Sequence, residues 1–253
     1  MVAGSATWSA TTFAAESLPE PTAAERAAAF PELAHPMHHG GAIHSLVLVD
    51  QFEFSREDGV TTGSFDLHGW VGGDVQRLWL SAEGEAEREV GDDTEFDGRF
   101  EAHYGRGFTP WWDWLAGVRH DVQDGRDRTA LSAGIHGLAP WFVESAFYVD
   151  VDTDGDIEAR IEAEYNLLLT QRLILQPDIE AGWYGGSDTE ELKGRGFGSV
   201  EAGLRLRYEF TREFAPYIGV THERFFGRTA EWRRAGGEPV RSTLWVAGFR
   251  FWS

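Results

Sequence analysis

From Ile43 onward, apolar residues recur at every second position in one segment after another. The stretch "DIEARIEAEYNLLLT" (156–170) shows both the pattern and its ambiguity. Glu, Ala and Arg favour helix, and Ile157, Ile161 and Tyr165 would share one helical stripe. Strict alternation of Ile157, Ala159, Ile161 and Ala163 with Glu158, Arg160, Glu162 and Glu164 instead describes a strand with one apolar and one charged face. The neighbours decide. "RLWLSAEGEAE" sets Leu78, Leu80, Ala82 and Ala86 against Arg77, Ser81, Glu83, Glu85 and Glu87. "FDGRFEAHY" sets Phe96, Phe100, Ala102 and Tyr104 against Arg99, Glu101 and His103. In "IHSLVLVDQFEF" the expected outward set is Leu46, Leu48, Phe52 and Phe54, with Gln51 and Glu53 on the other face. About twelve such segments of roughly ten residues follow one another, the length a tilted membrane-spanning strand needs.

The connections carry the next signal. Short ones hold turn residues: "GGDV", "TPWW", "LAPW", "TREFA". Longer polar ones are expected at 55–62, 88–95, 122–128, 184–196 and 225–241. Alternating short turns and long loops are the habit of outer-membrane barrels, and an even strand count returns both termini to the short-turn side. Aromatic residues gather near segment ends (Trp111, Trp112, Trp114, Trp141, Phe142, Phe249, Phe251, Trp252), where indole rings prefer the headgroup level. Leu167, Leu168 and Leu169 occupy a turn, which suits a membrane interface better than water. A soluble β-sandwich also alternates, but with its apolar face inward and loops of no regular order. The pattern therefore predicts an all-β fold: a single up-and-down antiparallel transmembrane β-barrel of about 12 strands over residues 43–253. Residues 1–42, rich in Ala, Pro and Ser, are expected to form a flexible arm, with a short helix allowed in "PTAAERAAAF".

Composition sharpens this picture. The chain has 253 residues and a net charge of −20, so nucleic acid is excluded as a partner and cations are favoured. Cysteine is absent, which removes disulfides and thiolate metal sites. No apolar run approaches the roughly 18–20 residues of a spanning helix; mean hydropathy is only −0.35. "MVAGSATWSATTFAAES" lacks the basic start and sustained apolar core of an export signal, so the chain reads as a mature sequence. In a barrel the charged parity becomes the lumen, where acids and arginines are expected to pair into a ladder.

Candidate chemistry lies in three places. "HPMHHGGAIH" holds His35, Met37, His38, His39 and His44; imidazole suits Cu(II), Zn and Ni, and a thioether suits Cu(I). The competing reading is a solvated polar tail. His68, His103 and His136 share the lumen parity, with Asp66 and Glu101 beside them. They read either as a transient imidazole–carboxylate cation site or as members of a hydrogen-bond network. His120 and His222 fall on the outward parity near loop ends, where anchoring at the interface is expected. "DVDTDGDIE" imitates a calcium loop through Asp150, Asp152 and Asp154, but Ile161 stands where the closing glutamate belongs, so an acidic hairpin turn is expected. No nucleophile–base pair stands out, and no enzymatic activity is expected.

Several phrases resemble the outer-membrane copper resistance protein B family (CopB/PcoB): "HGWVGGDVQRLWLSAEGE", "YGRGFTPWWDWLAGVRHD", "RIEAEYNLLLTQRLILQP" and "VEAGLRLRYEFTREFAPYIGV". The resemblance covers roughly residues 43–252. It implies a copper-resistance protein of the Gram-negative outer membrane, working with a periplasmic copper-handling partner; copper ions and outer-membrane lipid are the other expected partners, and a monomer is expected. It also implies an N-terminal arm rich in Met and His, matched here by His35, Met37, His38 and His39 alone. Family barrels end in an aromatic residue; here Ser253 follows Trp252, so the terminus reads as altered. The expected function is binding of Cu(I) or Cu(II) and its movement through an acidic, His-containing lumen. A closed barrel carrying a copper-binding arm and a passive small-solute pore are the alternatives.

Overall fold

The computed structural model describes residues 20–29, 41–57, 60–88, 94–123, 126–189 and 192–253. The chain divides into two units, Met1–Gly41 and Ala42–Ser253. In the first, the described residues form a helix, α1 (Ala23–Ala29). Its start is a capping box: Thr22 Oγ1 accepts from Glu25 N at 3.2 Å, and Glu25 Oε2 accepts from Thr22 N at 2.7 Å.

The second unit is one antiparallel sheet closed on itself. Its strands are β1 (His44–Glu57), β2 (Val60–Gly72), β3 (Gln76–Arg88), β4 (Thr94–Gly107), β5 (Trp112–Gln123), β6 (Arg126–Ala139) and β7 (Val143–Asp152). They continue with β8 (Ile157–Glu164), β9 (Leu167–Leu168), β10 (Leu173–Tyr184), β11 (Gly196–Tyr208), β12 (Phe214–Phe225) and β13 (Arg241–Trp252). The two-residue β9 pairs with β10 alongside β8 and only prolongs it, so the wall has twelve staves. Each strand pairs with its neighbour in sequence, and β13 returns to β1. The seam is tied by Val47 N to Ser253 O at 3.1 Å and Ser253 N to Val47 O at 3.0 Å. Both barrel ends of the chain therefore lie at the short-turn rim.

Alternation does the sorting that the sequence implies. Phe100, Val118, Leu131, Ile161 and Leu204 are exposed on the outer wall, while Glu101, Arg119, Ser132 and Arg160 are buried inside. The stretch 156–170 is strand from Ile157 to Glu164, not helix. The triple leucine closes a turn in which Leu169 N reaches Leu173 O at 2.9 Å, and all three side chains stay exposed.

Three expectations need correction. Leu46 and Leu48 line the interior, and Val47 faces out. A bulge in β1 between Val49 and Phe52 inserts one residue, so the parity that holds for Phe52 and Phe54 is reversed before it. The connections at 55–62 and 122–128 are mostly strand, because β1 runs to Glu57 and β5 to Gln123 as their hairpins continue pairing. The segment 225–241 contains α2 (Gly227–Gly236), stopped by Gly237 at φ 86° with its N–H bonded to the carbonyl of Arg234.

Placing a charge on the outer wall tests this orientation. Leu204→Arg, near the middle of β11, is expected to lower the stability of the vesicle-inserted barrel by about 2–4 kcal/mol in a denaturant titration. An unchanged midpoint would mean that Leu204 does not face lipid.

Candidate functional site: the barrel lumen

Every strand contributes its charged parity to one interior, and that interior is organised around arginines. Arg119 on β5 donates to three carboxylates: Asp150 at 2.8 Å, Glu158 at 2.9 Å and Asp121 at 2.9 Å. Arg160 on β8 holds Glu101 at 2.8 Å and Glu162 at 2.5 Å, and its guanidinium lies 4.8 Å from the ring centre of Tyr148. Arg205 on β11 binds Glu53 at 2.6 Å, Asp178 at 2.5 Å and Gln51 at 2.9 Å. Arg207 donates to Gln176 and Asn166, and Arg250 meets Asp50 at 2.8 Å. Arg119 and Arg160 are each only 2% exposed. Charges so deeply buried are tolerable only when the partners satisfy them, which is why each guanidinium meets several acceptors.

The acids outnumber these cations. Glu162, Glu180, Glu201 and Glu223 stand directly opposite one another on β8, β10, β11 and β12. Side chains in such register are roughly 5 Å apart at Cβ, and like charges there repel. Arg160 neutralises Glu162. Among the described residues, no salt bridge or hydrogen bond to a cation engages the other three. A cavity of about 840 Å³ runs past Glu180 and Glu201, from Trp70 and Trp79 near the short turns to Arg126 and Arg233 at the loops. A mobile cation passing this row would relieve the repulsion.

The histidines are placed less uniformly than their shared parity suggests. His68 pairs with Asp66, Nε2 to Oδ1 at 2.9 Å, and its side chain is 44% open to the lumen. His103 is buried, with Nε2 and Ser132 Oγ 2.8 Å apart and the ring 5.6 Å from that of Tyr148. His136 stands edge-on to Trp79 at 5.2 Å. Glu101 is taken by Arg160. So Asp66 and His68 come together, while His103, His136 and Glu101 sit in separate surroundings. Among the described residues, no group of three His, Asp or Glu is close enough to hold a metal ion. The reason is register: His103 lies opposite Gly117 and Trp79, and His136 lies opposite Asp113 and Ala146, so backbone spacing separates them. His44 opens β1 and is exposed. His35, Met37, His38 and His39 lie outside the described residues.

On the outer wall, His120 meets Thr129 at 2.9 Å and His222 meets Thr243 at 2.7 Å, each across a strand pair. The acidic hairpin is a turn: Asp152 Oδ1 accepts from Asp154 N and Asp156 N, and Gly155 takes φ 86°. The glutamate row escaped sequence reading, although its signal was present. Glu162, Glu180, Glu201 and Glu223 each occupy the charged parity, but only strand register reveals that they are level.

The family model for Copper resistance protein B precursor (CopB) matches residues 43–253. The chain is 40% identical to Copper resistance protein B of Escherichia coli over 93% of its own length and 78% of the relative's. It is 37% identical to Copper resistance protein B homolog of Pseudomonas syringae pv. tomato over 93% of its length and 79% of that protein's. Among solved structures, the NanC porin superposes with a TM-score of 0.56 at 12% identity, covering 81% of this chain and 98% of the porin. That last likeness concerns the fold alone.

The arginine hubs can be tested for their structural share. Arg160→Met leaves Glu101 and Glu162 without their cation and is expected to cost about 3–5 kcal/mol. The readout is the unfolding midpoint of the inserted barrel, and a second change, Glu101→Gln, is expected to restore part of the loss.

Proposed function

The chain belongs to the copper resistance protein B family, and from that footing we propose that it protects a Gram-negative cell by letting copper ions pass through its outer-membrane barrel. The observation that carries this reading is the level row Glu180, Glu201 and Glu223, none of which is held in a salt bridge among the described residues, with Glu180 and Glu201 lining the open lumen. Conduction needs sites firm enough to admit an ion and weak or numerous enough to release it. Partly exposed carboxylates without a fixed partner meet that need better than a closed metal centre would.

Copper is cargo in this scheme. Asp66 and His68 form an imidazole–carboxylate pair that lines the cavity, and serve as an intermediate station. An N,O donor set of this kind suits Cu(II); the thioether of Met37 would suit Cu(I). His35, Met37, His38, His39 and His44 are the donors proposed to gather the ion, in exchange with a periplasmic copper-handling partner. His103, His136 and Glu101 add field and hydrogen bonding around the path. The lumen needs no catalytic group for this work, and one closed barrel suffices as the conducting unit.

The test is copper entry into liposomes that enclose a copper-sensing dye. Replacing Glu180, Glu201 and Glu223 together by Gln is expected to slow entry by roughly tenfold or more, the lower range of electrostatic focusing. Unaltered flux sinks the lumen route. Equal leakage of a neutral sugar would indicate a passive pore instead. Loss of all copper binding on removal of residues 1–42, with no flux at any time, would indicate a closed barrel that displays an arm.

A further inference from the structure

The outer wall carries a charge pattern opposite to that of the whole chain. Arg224 on β12 and Arg241 on β13 are direct partners in the sheet, at the loop end. On the same outward parity, Arg56 on β1 and Arg88 on β3 lie on either side of Thr61 of β2. All four arginines are exposed. These five strands are consecutive around the barrel, and none of them bears a carboxylate on its outward positions over the described residues. No described acid pairs with the four arginines; the one aromatic contact is Arg224 over Phe226 at 5.0 Å. This occurs in a chain of net charge −20.

Two guanidiniums directly opposite one another repel. On a lipid-facing wall an arginine is tolerated only near the interface, where its cost nearly vanishes. An anion between the pair would remove the repulsion. The surroundings say which anion fits. Two residues along each strand toward the barrel middle, on the same face, His222 and Thr243 are joined at 2.7 Å, adding polar groups at the same rim. Below them the wall turns apolar, with Val220 opposite Trp245 and Trp245 78% exposed. A ligand matching this order has a phosphate at the rim and hydrocarbon beneath it. Guanidinium forks bind phosphate oxygens in pairs, which a point-charge ammonium does not.

We propose that Arg224 and Arg241 form a binding site for the phosphate of a phosphorylated lipid in the leaflet that faces the loops, with Arg56 and Arg88 extending its field around the rim. The site rests on the membrane reading of the barrel. It is separate from the lumen and from copper.

The experiment uses the full chain inserted in phosphatidylethanolamine vesicles that contain a diphosphorylated glucosamine lipid. After gentle detergent extraction, the lipid retained per barrel is measured by mass spectrometry. The double change Arg224→Gln and Arg241→Gln is expected to reduce retention by about tenfold, whereas Arg212→Gln at the opposite rim leaves it unchanged. The double change to Lys keeps the charge, folds under milder perturbation, and is expected to lose part of the retention through loss of the fork. Heat-dependent gel mobility reports folding for each variant. Equal retention in the Gln variant overturns the site. So does equal retention of the dephosphorylated lipid, and so does displacement by inorganic phosphate, which would make it a soluble-anion site. Failure of the wild-type chain to insert would instead defeat the membrane reading and this site together.

Discussion

The closed hydrogen-bond ladder is the constraint on which everything else depends. A lipid environment offers no partner to a backbone N–H or carbonyl, so a sheet can cross it only if no edge is left open. Here β13 returns to β1 and β10 pairs with β11, completing the ring. Once the ring is closed, side-chain direction ceases to be free. Each strand must send alternate residues to lipid and to the lumen. The apolar parity then covers the outside, and the chain's large excess of acid is largely driven into a narrow interior.

That confinement creates the second problem, and arginine is the solution the fold uses. Arg119, Arg160 and Arg205 each bridge acids from different strands. Their contacts cross the lumen as well as following the wall: Arg119 of β5 reaches Glu158 of β8, and Arg205 of β11 reaches Glu53 of β1. Where such bridges stop, the row Glu180, Glu201 and Glu223 begins. The same interior thus has a part cross-linked by arginines and a part, at Glu180, Glu201 and Glu223, without such bridges among the described residues.

The rims separate two further roles. At the loop end, Thr229 of α2 is buried and its Oγ1 accepts from Gly194 N at 3.0 Å, so the segments after β10 and β12 brace each other. At the short-turn end, Trp141 and Phe142 sit exposed at positive φ between β6 and β7, where an aromatic belt meets the interface. The helix α2 was hidden from hydrophobic patterning because its exposed turns carry Arg and Glu without a clear apolar stripe. Its stop at Gly237 after Arg233 and Arg234 was the readable sign.

Alternation by itself determined the architecture: Ile157 to Glu164, Leu78 to Glu87 and Phe96 to Tyr104 have one reading when a dozen such segments run in series. It also separated lumen from lipid for most positions, because a strand's period of two leaves no other choice. It failed at Leu46 and Leu48, since a single inserted residue in β1 reverses parity without any mark in composition. It identified Asp66, His68, Glu101, His103 and His136 as interior, but not which of them meet. Only closure and register decided that Asp66 joins His68, that Arg160 claims Glu101, and that glutamates far apart in the chain stand level. Period is a property of neighbours along the chain, whereas register is a relation between strands that no single strand encodes.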